Sequence, residues 1–368
     1  MKYLKNDVVI VIPQLGKGGG EKVACNLANA FSRRGINATL LVYKNNSSND
    51  YKRFIDDSVN VVYLDFDKKI SRSPIKFIYK LIRNINTINP TTVIFCSGTV
   101  NCIVSFFLWG LNKSIKKIAR ETNLPSLYSN ILLRKLYGIS YHKFDEIIVQ
   151  SKEMYNDINA ITKCKKKQIK LINNPLELDR IKEYREEYID VPLFNKHAIN
   201  IVTAGRLTYQ KGYDLLIMMV SNLVNLSKDI GFHILGAGEL SDELRALVLK
   251  LNLADYIHFY GNVENPYPYY KKADAFVSSS RWEGFPNAVI ECLACGTPVI
   301  ANHYPGGLTE IITNENGVII DINDSKSFYE AIKYVVNLEP QRIENTIKHL
   351  DSIEISKLII KPEDVNDR

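Results

Sequence analysis

Residues 280–312 read SRWEGFPNAVIECLACGTPVIANHYPGGLTEII, and this stretch decides how the rest of the chain is interpreted. It opens as a loop, in which Gly284 permits unusual dihedral angles and Pro286 suits the first turn of a helix. Apolar residues at helical spacing predict a helix over 287–295, which a Gly-Thr-Pro sequence ends before a buried strand at 299–301. The stretch is therefore a loop, a helix and a strand of an α/β fold.

Two glutamates, Glu283 and Glu291, lie on either side of the predicted helix start, eight positions apart (291 − 283 = 8). A helix start presents free backbone N–H groups, so a hydroxyl-rich or anionic ligand binds there readily. Glutamates beside it can accept hydrogen bonds from sugar hydroxyls. The alternative is that Glu283 only complements the helix dipole and that Glu291 faces water.

Length and charge indicate a two-domain globular protein with an uneven charge distribution. The 368 residues are 46% hydrophobic and 24% charged, with a net charge of +7. Residues 1–175 hold 28 Lys and Arg against 12 Asp and Glu, a net of +16, and the remainder holds 19 against 28, a net of −9. The basic half predicts an anionic partner such as a membrane surface, lipid phosphate or nucleic acid. No nucleic-acid-binding motif accompanies it, so we expect no nucleic acid partner.

Six cysteines form no disulfide framework, and we expect reduced thiols in the cytosol. Cys292 and Cys295 lack a second pair or a histidine cluster, which favours helix packing over a metal site. The polar residues 1–7 and the short apolar run 8–12 predict no cleavable signal. The longest apolar run, 102–111, is about half of a bilayer span, so no transmembrane helix is predicted.

The chain begins with a strand, a glycine-rich loop and a helix, which is a Rossmann-type opening. The strand is predicted at 8–12 and the helix at about 21–33. Between them, Gly18, Gly19 and Gly20 let backbone amides approach a ligand, and the helix start favours an anion. The loop is neither G-x-G-x-x-G nor a Walker motif, so NAD or ATP is not indicated. A flexible turn without a ligand is the alternative.

A second Rossmann-type pattern follows Asn173-Asn174-Pro175 and a polar linker predicted at 176–196. A buried strand at 199–204 leads to Arg206 and Lys211, five positions apart, at the strand end where ligands collect in open α/β sheets. Together the two cations could neutralise a diphosphate. The alternative is a structural salt bridge for either one. A further strand and glycine turn contains Gly236.

These motifs resemble the donor site of retaining glycosyltransferase family 4, a group 1 family with the GT-B fold. The E-x7-E of Glu283 and Glu291, the G-R-x4-K-G of Arg206 and Lys211 and the glycine turn after Pro305 carry the resemblance, which extends over nearly the whole chain. It implies an α/β protein of two Rossmann-like domains that face each other across a cleft. The implied parts are an acceptor-binding domain at 1–175, a nucleotide-sugar-binding domain at 176–340 and a C-terminal helix within 341–368 that packs back on the first domain.

The resemblance also implies site residues. Glu283 would contact the transferred sugar, Glu291 the ribose, and Arg206 and Lys211 the diphosphate. The catalytic candidates are Glu283, Arg206, Lys211 and Glu121. The expected donor-binding residues are Gly18, Gly19, Gly20, Arg206, Lys211, Gly236, Glu283, Gly284, Phe285, Pro286, Asn287, Glu291, Gly306 and Gly307. The family uses no metal and no further cofactor, and the Glu-Gly-Phe-Pro-Asn sequence favours a UDP-sugar as donor.

The chain departs from the family at the end of the predicted strand 115–120, where many members carry a histidine. Glu121 here could position the acceptor hydroxyl or act as its base, or Arg120 could pair with it structurally. Asp65 and Asp67 match the D-x-D with which other glycosyltransferases hold a metal. A strand-end acidic pair without metal is the preferred interpretation.

Residues 113–143 hold seven Lys and Arg against one acid, Glu121, and a basic amphipathic helix is predicted at 126–137. Such a helix suits an anionic membrane surface. The alternative is a helix that packs on the sheet and keeps its lysines solvated.

The resulting expectation is a retaining, metal-independent glycosyltransferase of bacterial polysaccharide biosynthesis, of O-antigen or capsule. It would transfer sugar from a nucleotide-sugar, a UDP-sugar, to a lipid-linked glycan acceptor. We expect it in the cytoplasm, peripheral on the inner face of the cytoplasmic membrane. Alternatives are a soluble or protein acceptor, or a non-catalytic GT-B partner subunit that binds nucleotide-sugar.

Overall fold

Alternating strands and helices build one parallel sheet in each half of the chain. The computed structural model describes residues 7–16, 18–44, 51–66 and 70–361, without the side chains of Ser71 and Tyr128. The chain divides into two units: the first contains the residues up to Leu176 and those from Leu350 onward, and the second contains Glu177–His349.

The first unit is a seven-stranded parallel sheet in the order β3-β2-β1-β4-β5-β6-β7. Its strands are β1 (Asp7–Ile12), β2 (Asn37–Val42), β3 (Asn60–Tyr63), β4 (Thr92–Phe95), β5 (Lys116–Arg120), β6 (Glu146–Val149) and β7 (Ile169–Leu171). Its helices are α1 (Gly19–Arg33), α2 (Pro74–Ile88), α3 (Gly98–Val104), α4 (Pro125–Tyr128), α5 (Ile131–Ser140) and α6 (Lys152–Ile161). Helices cover both faces of the sheet, which explains why the central strands are almost entirely apolar.

The second unit is a six-stranded parallel sheet in the order β10-β9-β8-β11-β12-β13. Its strands are β8 (Ile199–Ala204), β9 (Ile230–Leu235), β10 (Ile257–Gly261), β11 (Ala275–Ser278), β12 (Val299–Asn302) and β13 (Gly317–Ile320). Its helices are α7 (Leu178–Tyr184), α8 (Tyr213–Leu223), α9 (Ser241–Lys250), α10 (Tyr267–Lys272), α11 (Asn287–Ala294), α12 (Ser325–Val335) and α13 (Pro340–Asn345). The prediction of two Rossmann-like domains is confirmed.

Each sheet contains one point at which the strand order reverses. It lies between β1 and β4 in the first unit and between β8 and β11 in the second. In open α/β sheets ligands bind outside the carboxyl ends of the strands at this point. The loops that follow these four strands are therefore where a site is expected.

Two predicted segments are wrong in detail. The helix predicted at 126–137 is two helices, α4 and α5, with an extended break between them. Asn130 ends this break as the N-cap of α5 and accepts through Oδ1 from Leu133 N at 2.9 Å. The linker predicted at 176–196 contains α7. Arg185, which follows this helix, donates through Nη1 to Glu344 Oε1 at 2.6 Å, so this segment is an ordered part of the second unit.

Two helices lie in the segment 341–368 and just before it. The first, α13, belongs to the second unit, and the second, α14 (Ser352–Ile359), packs against α1 of the first unit. Arg34 donates through Nη1 to Ser356 Oγ at 3.1 Å and through Nη2 to Ile360 O at 2.8 Å. The rest of the predicted segment, 362–368, lies outside the described residues.

None of the helices in the described ranges has the length and apolar character that crossing a bilayer requires.

Candidate active site

The candidate residues of the second unit lie on the two loops that follow β8 and β11. These strands pair directly, with Ala275 opposite Ile201, although β9 and β10 separate them in sequence. Arg206 and Lys211 follow β8, and Glu283 follows β11. The sheet order thus brings the predicted diphosphate and sugar residues to one edge.

Lys211 and Glu283 form an ion pair at this edge. Lys211 Nζ lies 2.6 Å from Glu283 Oε1. The same oxygen accepts from Ser280 Oγ at 2.8 Å, and Gln210 Nε2 lies 3.5 Å from Glu283 Oε2. The carboxylate therefore has a cation and two neutral donors around it, which fixes its position and supports its negative charge.

Ser280 and Gln210 did not stand out in the sequence. Gln210 also donates through Nε2 to Trp282 O at 2.9 Å, and Arg281 N donates to Gln210 O at 2.8 Å, so the loops after β8 and β11 are joined. In the sequence only their positions indicated them, because Gln210 directly precedes Lys211 and Ser280 lies three residues before Glu283.

The glycine turn at 306–307 is brought against Glu283. Gly306 has φ +129°, and a Cβ there would lie 2.2 Å from Glu283 O. Glu283 N donates to Pro305 O at 2.9 Å, and Gly307 N donates to Gly284 O at 3.3 Å. A side chain at position 306 would push the Glu283 backbone out of place.

Arg206 and the loop containing Gly236 lie beside this pair. The Arg206 side chain is exposed, and among the described residues its guanidinium makes no hydrogen bond or ion pair. Leu207 N donates to Ala237 O at 3.1 Å, which sets the turn after Gly236 next to Arg206. The guanidinium is therefore available to an anionic ligand.

The start of α11 borders the same space. A small pocket is lined by Lys211 and Glu283 and by Pro286 and Ala288 from the start of this helix. Asn287 is the first residue of α11, and Phe285 is buried beneath the loop. The N-terminal backbone amides of α11 add to the positive character of a site suited to phosphate.

Glu291 is buried in the body of α11, on the side of α10. Burial, and then the charge of Glu291, raises the pKa of Tyr267 and of Tyr270 well above the usual value. Both tyrosines thus stay neutral beside a carboxylate. The assignment of Glu291 to ribose stays a prediction.

In the first unit the glycine loop follows β1. Gly18 precedes α1, and Gly19 and Gly20 form its first turn. A Cβ on Gly20 would lie 3.7 Å from Thr122 Cγ2, so the loop lies beside the end of β5. It follows β1, at the reversal point of its own sheet.

Glu121 is enclosed in the core of the first unit. Its side chain is 0% exposed, and it accepts from Asn101 Nδ2 at 3.4 Å, from Tyr137 OH at 3.4 Å and from Tyr141 OH. Burial raises the pKa of Glu121 to about 7 against the lowering effect of these hydrogen bonds. No part of the carboxyl group is open to an acceptor hydroxyl, so the structure does not favour its proposed role as a base.

Arg120 does not pair with Glu121, contrary to the alternative expectation. It is also buried but donates through Nη2 to Asn174 Oδ1 on the other side of the sheet. Successive residues of a strand point to opposite faces, which separates the two side chains.

No group of three or more His, Cys, Asp or Glu side chains in the described ranges could hold a metal ion. Of the D-x-D pair, Asp67 lies outside the described residues. All six cysteines are free, and Cys292 and Cys295 are buried in the packing of α11 and the residue that follows it.

The two parallel α/β sheets are the fold of GT-B glycosyltransferases. The family described as glycosyl transferases group 1 matches residues 184–349, and glycosyltransferase family 4 matches residues 17–180. An uncharacterised glycosyltransferase of Methanocaldococcus jannaschii is 30% identical, over 72% of this chain and 68% of the relative. The chain belongs to the group 1 glycosyl transferases.

Two further comparisons agree with this family. A Campylobacter jejuni enzyme, N-acetylgalactosamine-N,N'-diacetylbacillosaminyl-diphospho-undecaprenol 4-alpha-N-acetylgalactosaminyltransferase, is 27% identical over 92% of both chains. The structure of Anabaena HepE in complex with UDP and glucose superimposes with a TM-score of 0.77 at 14% identity, covering 96% of this chain and 98% of HepE. The similarity to HepE shows a shared fold.

Proposed function

We propose that this glycosyltransferase transfers a sugar, with retention of anomeric configuration and without a metal, from a UDP-sugar to a lipid-linked glycan of bacterial polysaccharide biosynthesis. The observation that carries the proposal is the Lys211–Glu283 ion pair at the reversal point between β8 and β11. A cation for the diphosphate and a carboxylate for the sugar there lie within 2.6 Å of each other.

The difficult step is the departure of the nucleoside diphosphate, because negative charge accumulates on its phosphate oxygens. Arg206 and Lys211 would stabilise that charge, together with the amides at the start of α11. Glu283 would accept from the sugar hydroxyls, and Glu291 from the ribose. These roles need no metal ion.

In the transfer, the bond between the anomeric carbon and the diphosphate oxygen breaks, and a bond from the acceptor oxygen forms on the same face. The acceptor hydroxyl proton passes to the departing phosphate oxygen, so no side chain of the protein has to accept it. This fits the enclosure of Glu121. Retention follows because the acceptor uses the face that the leaving group vacates.

Two observations support the donor and acceptor classes. The HepE structure contains UDP and glucose, and the Campylobacter relative is named for a diphospho-undecaprenol-linked acceptor. A basic first half suits an acceptor that carries a lipid diphosphate at an anionic membrane surface. We therefore place the enzyme peripherally on the inner face of the cytoplasmic membrane.

Calorimetric titration of UDP and GDP tests the donor site. The wild-type protein should bind UDP, and the Arg206→Ala, Lys211→Ala variant should lose it, whereas Arg342→Ala, Lys250→Ala removes the same charges elsewhere in the unit and should not. Binding of neither nucleotide would overturn the proposal. Glu283→Gln should keep UDP but lose transfer to membrane extract, whereas an unchanged transfer rate would contradict its role.

A further inference from the structure

Helix α5 has two apolar sides, and only one of them packs on the protein. Tyr137 is buried, with Leu133 and Leu136 partly buried against the same core. On the other side Ile131 is 73% exposed and Leu132 67% exposed. Ile139 and, from α4, Leu127 are also exposed. We call Leu127, Ile131, Leu132 and Ile139 the outer face.

Further exposed apolar side chains lie on the same layer of helices. Trp109, in the 3-10 turn Ser105–Gly110, is 84% exposed. This turn is joined to α2 by a hydrogen bond from Asn86 Nδ2 to Gly110 O at 2.8 Å, and α2 itself exposes Ile75 and Tyr79. Large exposed apolar groups on one layer mark an interaction surface rather than scattered surface residues.

The charges of residues 70–144 on this layer are almost all positive. Between residues 70 and 144 the sequence contains a single acid, Glu121, and its side chain is buried. Every charged side chain that reaches the surface there is therefore Lys or Arg, among them Lys76, Arg83, Lys113 and Lys135.

Three of the acids that follow this segment contact other groups of the protein. Glu146 Oε1 lies 3.0 Å from Lys116 Nζ, Asp145 accepts from Lys117 N at 2.7 Å, and Asp157 accepts from Ser126 N at 3.0 Å. The four residues of the outer face include no acid.

We infer that the outer face with Trp109 is a docking surface for a bilayer that contains anionic lipid. Its apolar side chains would enter the boundary between head groups and acyl chains, a tryptophan suits that depth, and the flanking lysines would lie among the phosphates. A second copy of this chain is a poorer occupant, because two cationic faces without carboxylates would repel each other.

This inference rests on the proposed function, since a lipid-linked acceptor lies in such a bilayer. Gly20 of the glycine loop lies beside Thr122, and α4 begins three residues after Thr122 at Pro125. Docking through α4 and α5 would thus bind the bilayer with the helices that follow the end of β5.

Vesicle sedimentation with the full chain tests the docking surface. Vesicles of phosphatidylcholine alone are compared with vesicles that contain about one third phosphatidylglycerol, and we expect binding to the second kind only. The Ile131→Ser, Leu132→Ser, Ile139→Ser variant should bind at least about tenfold more weakly. The control Met218→Ser, Leu249→Ser, Leu358→Ser changes residues of comparable exposure on other surfaces, Leu249 being 67% exposed, and should bind like wild type.

A charge variant provides a second measurement. Lys113→Glu, Lys135→Glu should weaken binding at least about twentyfold, since each lysine near an anionic surface contributes about fivefold. The inference would be overturned if wild-type protein does not bind anionic vesicles, or if the apolar variant binds them as wild type does. Equal loss in the control, or wild-type binding to an acidic protein in place of vesicles, would overturn it too.

UDP titration of the same samples separates the two proposals. If UDP binds and vesicles do not, the donor site stands and the docking surface fails. If vesicles bind and UDP does not, the proposed function fails instead.

Discussion

Lys211 Nζ and Glu283 Oε1 lie 2.6 Å apart, although the two residues are separated by 72 positions in sequence. Both side chains are mostly withdrawn from solvent. The pair therefore joins the two charges to which the proposed function gives separate roles.

Breaking this pair should destabilise the second unit. Lys211→Met should lower the free energy of unfolding by about 1 to 3 kcal/mol, because Glu283 loses the cation that it contacts. In denaturant titrations, Lys211→Met with Glu283→Gln should lose about 1 kcal/mol less than the sum of the single variants. The exposed pair Lys333–Glu330, also 2.6 Å apart, is the control and should show a coupling of less than about 0.5 kcal/mol. Additive losses at Lys211 and Glu283 would contradict the pair.

Ser280 is expected to act as a positioning residue for Glu283. Ser280→Ala removes one donor to the carboxylate and should slow transfer about tenfold, the equivalent of one hydrogen bond to a charged group, while UDP affinity stays within about twofold. Rates with membrane extract and UDP calorimetry measure the two effects. Ser221→Ala, which removes a hydroxyl that binds Met218 O on α8, should change neither. A parallel loss of UDP affinity would show that Ser280 supports the whole loop instead.

Gly306 should not tolerate a side chain. Gly306→Ala places a Cβ 2.2 Å from Glu283 O, so we expect loss of transfer and a loss of stability of about 3 kcal/mol. Gly261→Ala is the matched control, since Gly261 also has positive φ, +69°, but no atom lies within 4 Å of its Cβ position. That control should cost about 1 kcal/mol and keep activity. Equal behaviour of the two variants would mean that the contact with Glu283 does not matter.

Glu121 should make the first unit less stable as pH rises. Burial raises its pKa from 4.5 to about 7, so the folded state holds a proton that the unfolded chain releases. Its contribution, about 3 kcal/mol, is fully present below pH 4.5 and is lost as pH rises through 7. Hydrogen exchange of β4 and β5 measures this slope. Glu121→Gln should remove this pH dependence of stability, and an unchanged pH dependence in the variant would mean that another group causes it.

His233 should make the second unit less stable as pH falls, which is opposite to the effect of Glu121 on the first unit. Its ring stacks on Phe194, with centroids 3.9 Å apart, and Nε2 lies 2.9 Å from Asn200 Oδ1. Burial, and then the charges of His258 and His197, lowers the pKa of His233 from 6.5 to about 3. The unfolded chain thus takes up a proton first, so about 5 kcal/mol of stability is present above pH 6.5 and is lost as pH falls toward 3.

Hydrogen exchange of β8 and β9 between pH 7 and pH 4 measures the histidine effect, with intrinsic exchange subtracted. His233→Gln should flatten the dependence. If wild type shows no change over this range, the ring is not held neutral by its surroundings.

Much of this fold is predictable from sequence, because buried parallel strands appear as short apolar runs followed by glycine-rich loops. That pattern was sufficient to place Arg206, Lys211 and Glu283 near strand ends. It does not show that Lys211 meets Glu283, since that depends on β8 and β11 being neighbours.

The first unit was harder to predict for a related reason. The environment of Glu121 depends on Tyr137 and Tyr141, which reach it only because α5 turns back over β5. The break before α5 depends on the Asn130 cap, and apolar residues continue through it in sequence. Contacts distant in sequence, rather than local preference, determine both features.

The packing of α14 on α1 has a consequence for the order in which the protein forms during synthesis. The second unit is one continuous segment, Glu177–His349, and can fold as soon as it leaves the ribosome. The first unit begins earlier but must wait for Ser352–Ile359 to cover the apolar side of α1. The half of the protein that is translated first is therefore the half that is completed last.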